Sequence, residues 1–219
     1  MKYKLIINFK AYDESTTTQA KKLALACKKA LPLAKKHNVD IIICPQTLDL
    51  QELVKTKVPC YAQHIDEFDA GAHTGFTLGH AVKASGAIGT LLNHSEHQLP
   101  DKKLGASVAK AKALGLKVCL CARNDARAKQ LAKFKPDFIA VEPKELIGGD
   151  ISISTAKPEL IKKSKQAVGK VPLLVGAGVK TRQDVVRSLE LGAVGILLAS
   201  GIVKSKKPYE TLVDLINGF

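Results

Sequence analysis

Short apolar segments alternate with longer amphipathic stretches along almost the whole chain, and this alternation restricts the possible folds more than any other feature. The sequence contains eight such segments: Lys4–Ile7, Ile41–Cys44, Pro59–Ala62, Ile88–Leu92, Lys117–Cys121, Phe138–Val141, Pro172–Val175 and Gly195–Leu198. Nearly continuous apolar segments are typical of strands that are buried on both faces, as in parallel sheets. Strands separated by helices predict βαβ units.

The stretches between the segments show a helical period. After the first segment, apolar residues recur at Ala20, Leu23, Ala24, Cys27, Leu31 and Ala34. This spacing is close to 3.6 residues and predicts a helix, which we expect Pro32 to bend or divide. A last helix is predicted over Tyr209–Ile216.

Eight strand–helix repeats without a linker favour one α/β domain over residues 1–219, folded as a closed (β/α)₈ barrel. A doubly wound open sheet is the alternative. The long stretch 63–75 has no periodicity, and loops of that length are usually functional or interfacial.

Composition excludes several other classes of protein. No apolar run approaches the ~18 residues that a membrane span needs. The amino-terminal run lacks a small-residue cleavage site, so we expect no signal peptide. The five cysteines are odd in number and scattered, which favours reduced thiols in the cytoplasm over a disulfide framework. We interpret Cys119 and Cys121 as two residues on the same face of the fifth strand, ahead of a redox or metal role.

The chain is strongly basic, with 34 Lys and Arg against 20 Asp and Glu and a net charge of +14. Most of the surplus lies in Lys-Lys pairs spread over the predicted helices, and the chain has no Trp to interleave with them. Nucleic-acid-binding proteins concentrate their charge and add stacking aromatics, so we favour a solvated basic surface. Such a field still steers small anions towards a cleft.

In a barrel the chemistry lies just after the strands, at their carboxyl ends. Lys10 follows the first strand and His94 the fourth, although a solvated lysine and a structural histidine are the plainer alternatives. His94 and His97 have the spacing of metal ligands on a helical turn, but no third ligand has suitable local spacing.

Glu142 comes directly after the sixth strand. A carboxylate that follows four apolar residues should be partly desolvated, which makes it a stronger base. Pro143 on one side and Gly148-Gly149 on the other would suit a moving lid, and a plain surface loop is the alternative.

Two loops of small residues follow the last two strands, Gly176-Ala177-Gly178 and Ala199-Ser200-Gly201. Small residues let main-chain N–H groups approach an anion, and these two loops are the recurrent phosphate site of the barrel. The strand ends together therefore predict an acid/base pair beside a phosphorylated small molecule.

The chain resembles the triosephosphate isomerase family, and in particular its short archaeal members, over nearly its full length. The motifs that carry the resemblance are Asn8-Phe9-Lys10, Ala62-Gln63, His94-Ser95-Glu96, Ala140-Val141-Glu142-Pro143 with Ile147-Gly148, Gly176-Ala177-Gly178 and Leu198-Ala199-Ser200-Gly201. The resemblance implies a TIM barrel that interconverts dihydroxyacetone phosphate and D-glyceraldehyde 3-phosphate through an enediolate. It also implies that no metal or organic cofactor is needed.

The resemblance further implies the roles of the site residues. Glu142 would be the base, His94 the neutral electrophile, and Lys10 the cation that stabilises the enediolate. Asn8 would orient the substrate, and Glu96 would hold Lys10 in place. The residues implied to contact the substrate or its phosphate are Asn8, Lys10, Ile147, Gly148, Gly176, Gly178, Ala199 and Ser200.

The sequence departs from the family pattern at Asn93, where most members have glycine, and at Asp150, which brings a carboxylate close to the expected phosphate site. The resemblance also implies that Thr74 reaches a neighbouring subunit. We therefore expect a homo-oligomer, with a tetramer favoured over a dimer, and neither membrane nor nucleic acid as a partner.

Two other classes of function remain open at this point. A different phosphate-binding barrel, an aldolase or epimerase of sugar phosphates, would need a Schiff-base lysine or a metal. Lys117 opens the fifth strand and is thus predicted at the wrong end of the barrel. A basic binding protein built on an inactive barrel would have no need of Lys10, His94 and Glu142 on one rim.

Overall fold

The apolar segments form parallel strands, and each predicted segment contributes one of them. The computed structural model describes residues 2–146, 148–149 and 151–219. Within those residues the strands are β1 (Tyr3–Asn8), β2 (Val39–Cys44), β3 (Tyr61–Ala62), β4 (Gly89–Leu92), β5 (Lys117–Ala122), β6 (Phe138–Val141), β7 (Leu173–Val175) and β8 (Gly195–Leu198).

Helices connect the strands and cover the outer face of the sheet. They are α1 (Thr17–Lys36), α2 (Leu50–Val54), α3 (Gly79–Ala84), α4 (Asp101–Ala113), α5 (Asp125–Ala132), α6 (Ile153–Ala156), α7 (Pro158–Val168), α8 (Arg182–Glu190), α9 (Ser200–Val203) and α10 (Pro208–Ile216). Short 3₁₀ turns lie at Asp13–Ser15, Thr47–Asp49 and Lys144–Leu146.

The strands pair in sequence order and the sheet closes on itself. The order is β2-β1-β8-β7-β6-β5-β4-β3, with parallel pairing throughout. Between β2 and β3 the closure is a parallel bridge of Ile43 with Cys60, in which the Ile43 N–H donates to the Pro59 carbonyl at 2.9 Å. The predicted TIM barrel is therefore confirmed, and the doubly wound alternative is excluded because such a sheet stays open.

Of the two effects expected of Pro32 on its helix, bending or division, division does not occur. Helix α1 runs without a break from Thr17 to Lys36, so Pro32 does not divide it. Both Pro32 and Lys28, four residues earlier, lie on the exposed face of the helix. Because the missing N–H leaves the Lys28 carbonyl open to water there, the helix continues past the proline.

Two layers of apolar side chains fill the molecule, one inside the barrel and one between sheet and helices. Alternate strand residues point to opposite faces. Ile6 accordingly belongs to a buried cluster made only of strand residues, whereas Leu5 and Ile7 pack with residues of the helices. Interior positions filled by bulky apolar side chains make the barrel a solid core.

All five cysteines are buried free thiols. Cys119 and Cys121 both belong to the interior cluster, which confirms the prediction that they share one face of β5. Burial raises the pKa of the Cys27 and Cys60 thiols to about 12. Since the thiolate is the reactive form, these groups act as small apolar residues.

The segment 63–78 crosses from β3 to α3 without forming a helix or strand, as the lack of periodicity predicted. Its tip is nevertheless ordered by aromatic contacts. The Phe68 ring stacks on His73 with centroids 4.2 Å apart and meets Phe76 edge-on at 4.9 Å. Among the helices of the described residues, none is both long and apolar enough to cross a membrane.

Candidate active site

A cleft opens at the carboxyl ends of the strands and collects most of the residues predicted there. Its lining includes the predicted site residues Asn8, Lys10, His94, Glu142, Gly148, Gly178, Ala199 and Ser200. Ile147 and Asp150 lie outside the described residues. Parallel pairing explains the gathering, because strand ends far apart in sequence share one rim.

Glu142 and His94 face each other in this cleft. The distance from Glu142 Oε2 to His94 Nε2 is 3.7 Å, and the two residues are 5% and 7% exposed. The Glu142 main chain is fixed by its N–H, which donates to the Ala122 carbonyl at 2.8 Å. Its Oε2 atom is buried without a hydrogen-bond partner among the described residues. An unpaired buried acceptor is costly, so its presence in a cleft makes it a candidate for contact with a ligand.

The hydrogen bond on the far side of the His94 ring fixes which nitrogen carries the proton. The Glu96 main-chain N–H donates to His94 Nδ1 at 3.2 Å. A main-chain N–H can only donate, so Nδ1 is the acceptor in this contact, the arrangement of a ring that carries its proton on Nε2. The ring proton is therefore assigned to Nε2, the atom that faces Glu142.

Lys10 is held at both its main chain and its side chain. Its φ of +54° is in the left-handed region, which is unfavourable for lysine. Its N–H donates to Asn8 Oδ1 at 3.0 Å, and its carbonyl accepts from Gln63 Nε2 at 2.9 Å. The Nζ atom binds Glu96 Oε1 at 2.6 Å, in a side chain that is only 8% exposed. Strain of this kind persists where surrounding contacts over-determine the backbone.

Gln63 has a structural role that sequence reasoning missed. The motif Ala62-Gln63 carried the family resemblance, but no function was given to the glutamine. Its Nε2 donates to the carbonyls of Lys10 and of Cys44 at 2.9 and 3.0 Å. It thereby joins the loop after β1 to the end of β2. The signal that could have found it was an amide side chain directly after a buried strand.

The opposite wall of the cleft is made of small residues whose main chain is close to the open space. Ala177 and Gly178 have φ of +73° and +71°. A Cβ on Gly178 would collide with the Ile151 carbonyl group, with its carbon at 2.8 Å. Only glycine fits there, which brings the loop after β7 against the segment that follows β6.

The structure gives Gly176 a different place from the expected phosphate contact. Its N–H donates to the Val141 carbonyl at 3.0 Å, so that amide is already used in the barrel. A Cβ at this position would collide with Glu142, with Oε1 at 2.6 Å. Gly176 therefore lies beneath the carboxylate and leaves room for it.

His94 and His97, whose spacing would suit two metal ligands on a helical turn, have different neighbours. The His97 ring instead lies against His64, with centroids 4.3 Å apart. No group of three or more metal-ligating side chains was found in the described part of the chain.

Barrel and cleft together define a class: TIM-barrel enzymes that move protons on a small substrate at the carboxyl ends of the strands. Comparison with known proteins narrows the class. The family model for triosephosphate isomerase matches residues 4–218.

Individual relatives agree with the family match. The chain is 43% identical to triosephosphate isomerase of Thermoplasma volcanium, over 98% of this chain and 99% of that protein. It is 40% identical to the enzymes of Methanobacterium bryantii and Methanocaldococcus jannaschii, each over 97% of this chain. The chain belongs to the triosephosphate isomerase family. Its activity is the interconversion of dihydroxyacetone phosphate and glyceraldehyde 3-phosphate, a reaction of glycolysis.

The contact between Gly176 and Glu142 generates a prediction. Replacing Gly176 with Ala should push the carboxylate away from His94 and lower kcat by about 10²-fold, the scale of a 1 Å misplacement, with little change in KM. Steady-state kinetics of triose phosphate isomerisation measure this. Gly105→Ala is the matched control, because its Cβ meets only the movable ring of Phe134, at 3.0 Å, outside the cleft. Equal kcat in both variants would contradict the conclusion that Gly176 leaves room for the Glu142 carboxylate.

Proposed function

We propose that Glu142 is the base of the isomerisation and that His94 is its electrophile. Glu142 takes a proton from carbon 1 of dihydroxyacetone phosphate, and the electron pair of that C–H bond forms the C1–C2 double bond of the enediolate. The former carbonyl oxygen on carbon 2 takes up the negative charge and accepts a hydrogen bond from His94 Nε2–H. Glu142 then returns the proton to carbon 2, while a proton moves from the oxygen on carbon 1 to the oxygen on carbon 2, which leaves an aldehyde at carbon 1.

The observation that carries this proposal is the 3.7 Å pair itself, with an unpartnered carboxylate oxygen facing the proton-bearing nitrogen. A carbon acid bound alongside the pair would contact the base through its carbon and the hydrogen-bond donor through its oxygen. Both groups are almost completely removed from water, which strengthens their interactions with charge that develops on the substrate.

Lys10 and Asn8 act on the same oxygens and on the phosphate. The Lys10 ammonium is the buried cation of the cleft wall next to His94, and we assign it to the enediolate charge. Glu96 holds that ammonium in place with one carboxylate oxygen, and its side chain is 58% exposed. Because an exposed carboxylate is well solvated, it orients Lys10 without fully cancelling its field. Asn8 orients both the Lys10 main chain and the substrate.

The phosphate is assigned to the wall of small residues. Gly178, Ala199 and Ser200 line it, together with Gly148 from the segment after β6. Main-chain N–H groups of such loops bind dianions without a bulky side chain in the way. We extend the assignment to Ile147 from the family resemblance. Gly176 is left out, since its amide serves the barrel.

The two rival functions are less well supported. The candidate Schiff-base residue Lys117 lies at the amino end of β5, pairs with Asp137 at 2.8 Å and has a side chain that is 62% exposed. It is thus at the opposite end of the barrel from the cleft. A binding protein without catalysis would not explain a buried, unpaired carboxylate beside a neutral imidazole.

Replacing Glu142 with Gln should lower kcat at least ~10²-fold, because the amide cannot accept the carbon-bound proton. The measurement is a coupled triose phosphate isomerase assay with EDTA present, in which the unaltered enzyme should keep its full activity. Glu159→Gln, an exposed carboxylate of α7, is the control. Near-normal turnover by the Glu142 variant would overturn the base assignment, and loss of activity in EDTA would favour a metal-dependent barrel.

Replacing Ser200 with Asp should raise KM steeply, because it places a carboxylate against the dianionic phosphate. Fitting initial rates over a range of substrate concentrations separates KM from kcat. Ser85→Asp makes the same change of charge at the end of α3, outside the cleft, and should leave KM unchanged. If both variants have the same KM, the loop after β8 does not bind the phosphate.

We infer that the chain works as a homo-oligomer, with a tetramer favoured over a dimer. Leu48 is 89% exposed and Phe76 is 50% exposed, and both lie on loops at the carboxyl-end rim. Contiguous exposed apolar patches mark interfaces, and we propose that these two side chains contribute to one. A second cleft beside Lys10, lined by Gln63 and Thr77, offers a place for the partner's loop. We assign Thr74, in the loop 63–78 of one subunit, to the contact with the partner's Asn8 and Lys10.

Size-exclusion chromatography with light scattering should therefore give a mass at least twice the 23.5 kDa of one chain. Phe76→Asp should shift the mass towards the monomer and lower kcat, because the partner's support for Lys10 is lost. Leu25→Asp changes an equally exposed apolar residue on α1 and is the control for kcat. A fully active monomer would refute the oligomer proposal.

We also propose that the enzyme is cytoplasmic and uses no cofactor. The five reduced, buried thiols suit a reducing compartment. The net charge of +14 favours collection of an anionic substrate over a wide surface.

A further inference from the structure

Both the nitrogen and the oxygen of the Asn93 side-chain amide form hydrogen bonds with main-chain groups. The residue is 5% exposed and directly precedes His94. Its Nδ2 donates to the Cys121 carbonyl at 3.0 Å, and its Oδ1 accepts from the Leu99 N–H at 3.2 Å. Cys121 belongs to β5, and Leu99 lies at the other end of the loop 93–99.

These two hydrogen bonds close the loop 93–99 at its base. The loop carries the two groups that control the imidazole and the ammonium, namely the Glu96 N–H on His94 Nδ1 and the Glu96 carboxylate on Lys10. With its first residue bonded to its last, the loop has less freedom to rotate the His94 ring. Preorganised groups of this kind lower the cost of reaching the reactive geometry.

Strand β5 connects this loop to the base. The Cys121 carbonyl accepts from Asn93, and the next carbonyl along the strand, that of Ala122, accepts from the Glu142 N–H at 2.8 Å. Two consecutive carbonyls of one strand therefore fix the residue before the imidazole and the residue that bears the carboxylate. The 3.7 Å separation of the pair is set from this common support.

We propose that Asn93 is a positioning residue that sets the distance and orientation of His94 relative to Glu142 by tying the loop 93–99 to β5. The proposal rests on the roles assigned to His94 and Glu142 above. The side chain is what matters here, because φ at Asn93 is +61°, a conformation that glycine adopts without strain. Glycine at this position would thus keep the backbone and lose both hydrogen bonds.

The test is Asn93→Gly, compared with Thr56→Val. Thr56 is also buried, and its hydroxyl also makes two main-chain contacts, to the Leu53 carbonyl at 2.6 Å and from the Val58 N–H at 3.4 Å. It lies just before β3, at the amino-end rim. We expect Tm to fall by about 4–8 °C in both variants, as for two lost hydrogen bonds. Only Asn93→Gly should also lower kcat, by about tenfold, with KM within about twofold of the original.

Asn93→Asp is the second variant. It keeps an acceptor for the Leu99 N–H but sets a carboxylate oxygen against the Cys121 carbonyl, so kcat should fall at least as far as in Asn93→Gly. Suppose that Tm falls equally in Asn93→Gly and Thr56→Val while kcat of Asn93→Gly stays within twofold of the original. Asn93 would then be merely structural, and the proposal would be wrong. A rise in KM at constant kcat would also overturn it. Neither result bears on the activity of the unaltered enzyme or on the loss of kcat expected for Glu142→Gln, so the proposed function would stand.

Discussion

Closure of a parallel sheet is the constraint on which the rest of the molecule depends. Parallel pairing runs without interruption from β2 through β1 and β8 to β3, and the Ile43–Cys60 bridge joins the two edges. Every strand therefore ends at the same rim. In the pairing of β1 with β8, Ile7 lies opposite Leu198, so the residues that follow, Asn8 and Ala199, meet at the cleft although 190 positions separate them.

The rim holds charges that the apolar barrel would otherwise exclude, and the way each is held reflects its task. Lys10 has a carboxylate partner, and His94 has a main-chain donor at Nδ1. Glu142 has an oxygen with no partner among the described residues, which costs about 1–3 kcal/mol. A site selected for stability alone would satisfy that oxygen. Natural proteins accept such costs at functional sites and recover them through packing elsewhere.

Sequence reasoning predicted the fold closely, because strand burial and strand order follow from local patterns. The bounds of β6 and β8 match the predicted segments. Strand β3 is shorter than predicted, because Pro59 has no N–H for the ladder and Cys60 makes only an isolated bridge to β2.

The site was predictable to the level of the strand that bears each residue, but not to the level of contacts. Gly176 and Gly178 belong to one motif, and only their neighbours in space, Glu142 and Ile151, separate their roles. Likewise, an amide directly after a buried strand marks Gln63 and Asn93 as candidates, but nothing local tells which main-chain groups they bond to. Such contacts depend on register and loop geometry, which no short motif encodes.

The shortness of strand β3 has a consequence for local opening of the barrel. It contributes two residues to its ladder with β4, and it meets β2 through an isolated bridge. Amide protons near the junction of β2 and β3 should exchange with solvent through small local openings. This exchange should be faster than that of β1, whose six residues all pair with β2. At the carboxyl-end rim, the hydrogen bond from Gln63 to the Cys44 carbonyl strengthens this junction. If the proposed homo-oligomer covers the adjoining loop, its dissociation should increase the frequency of local opening at this part of the barrel.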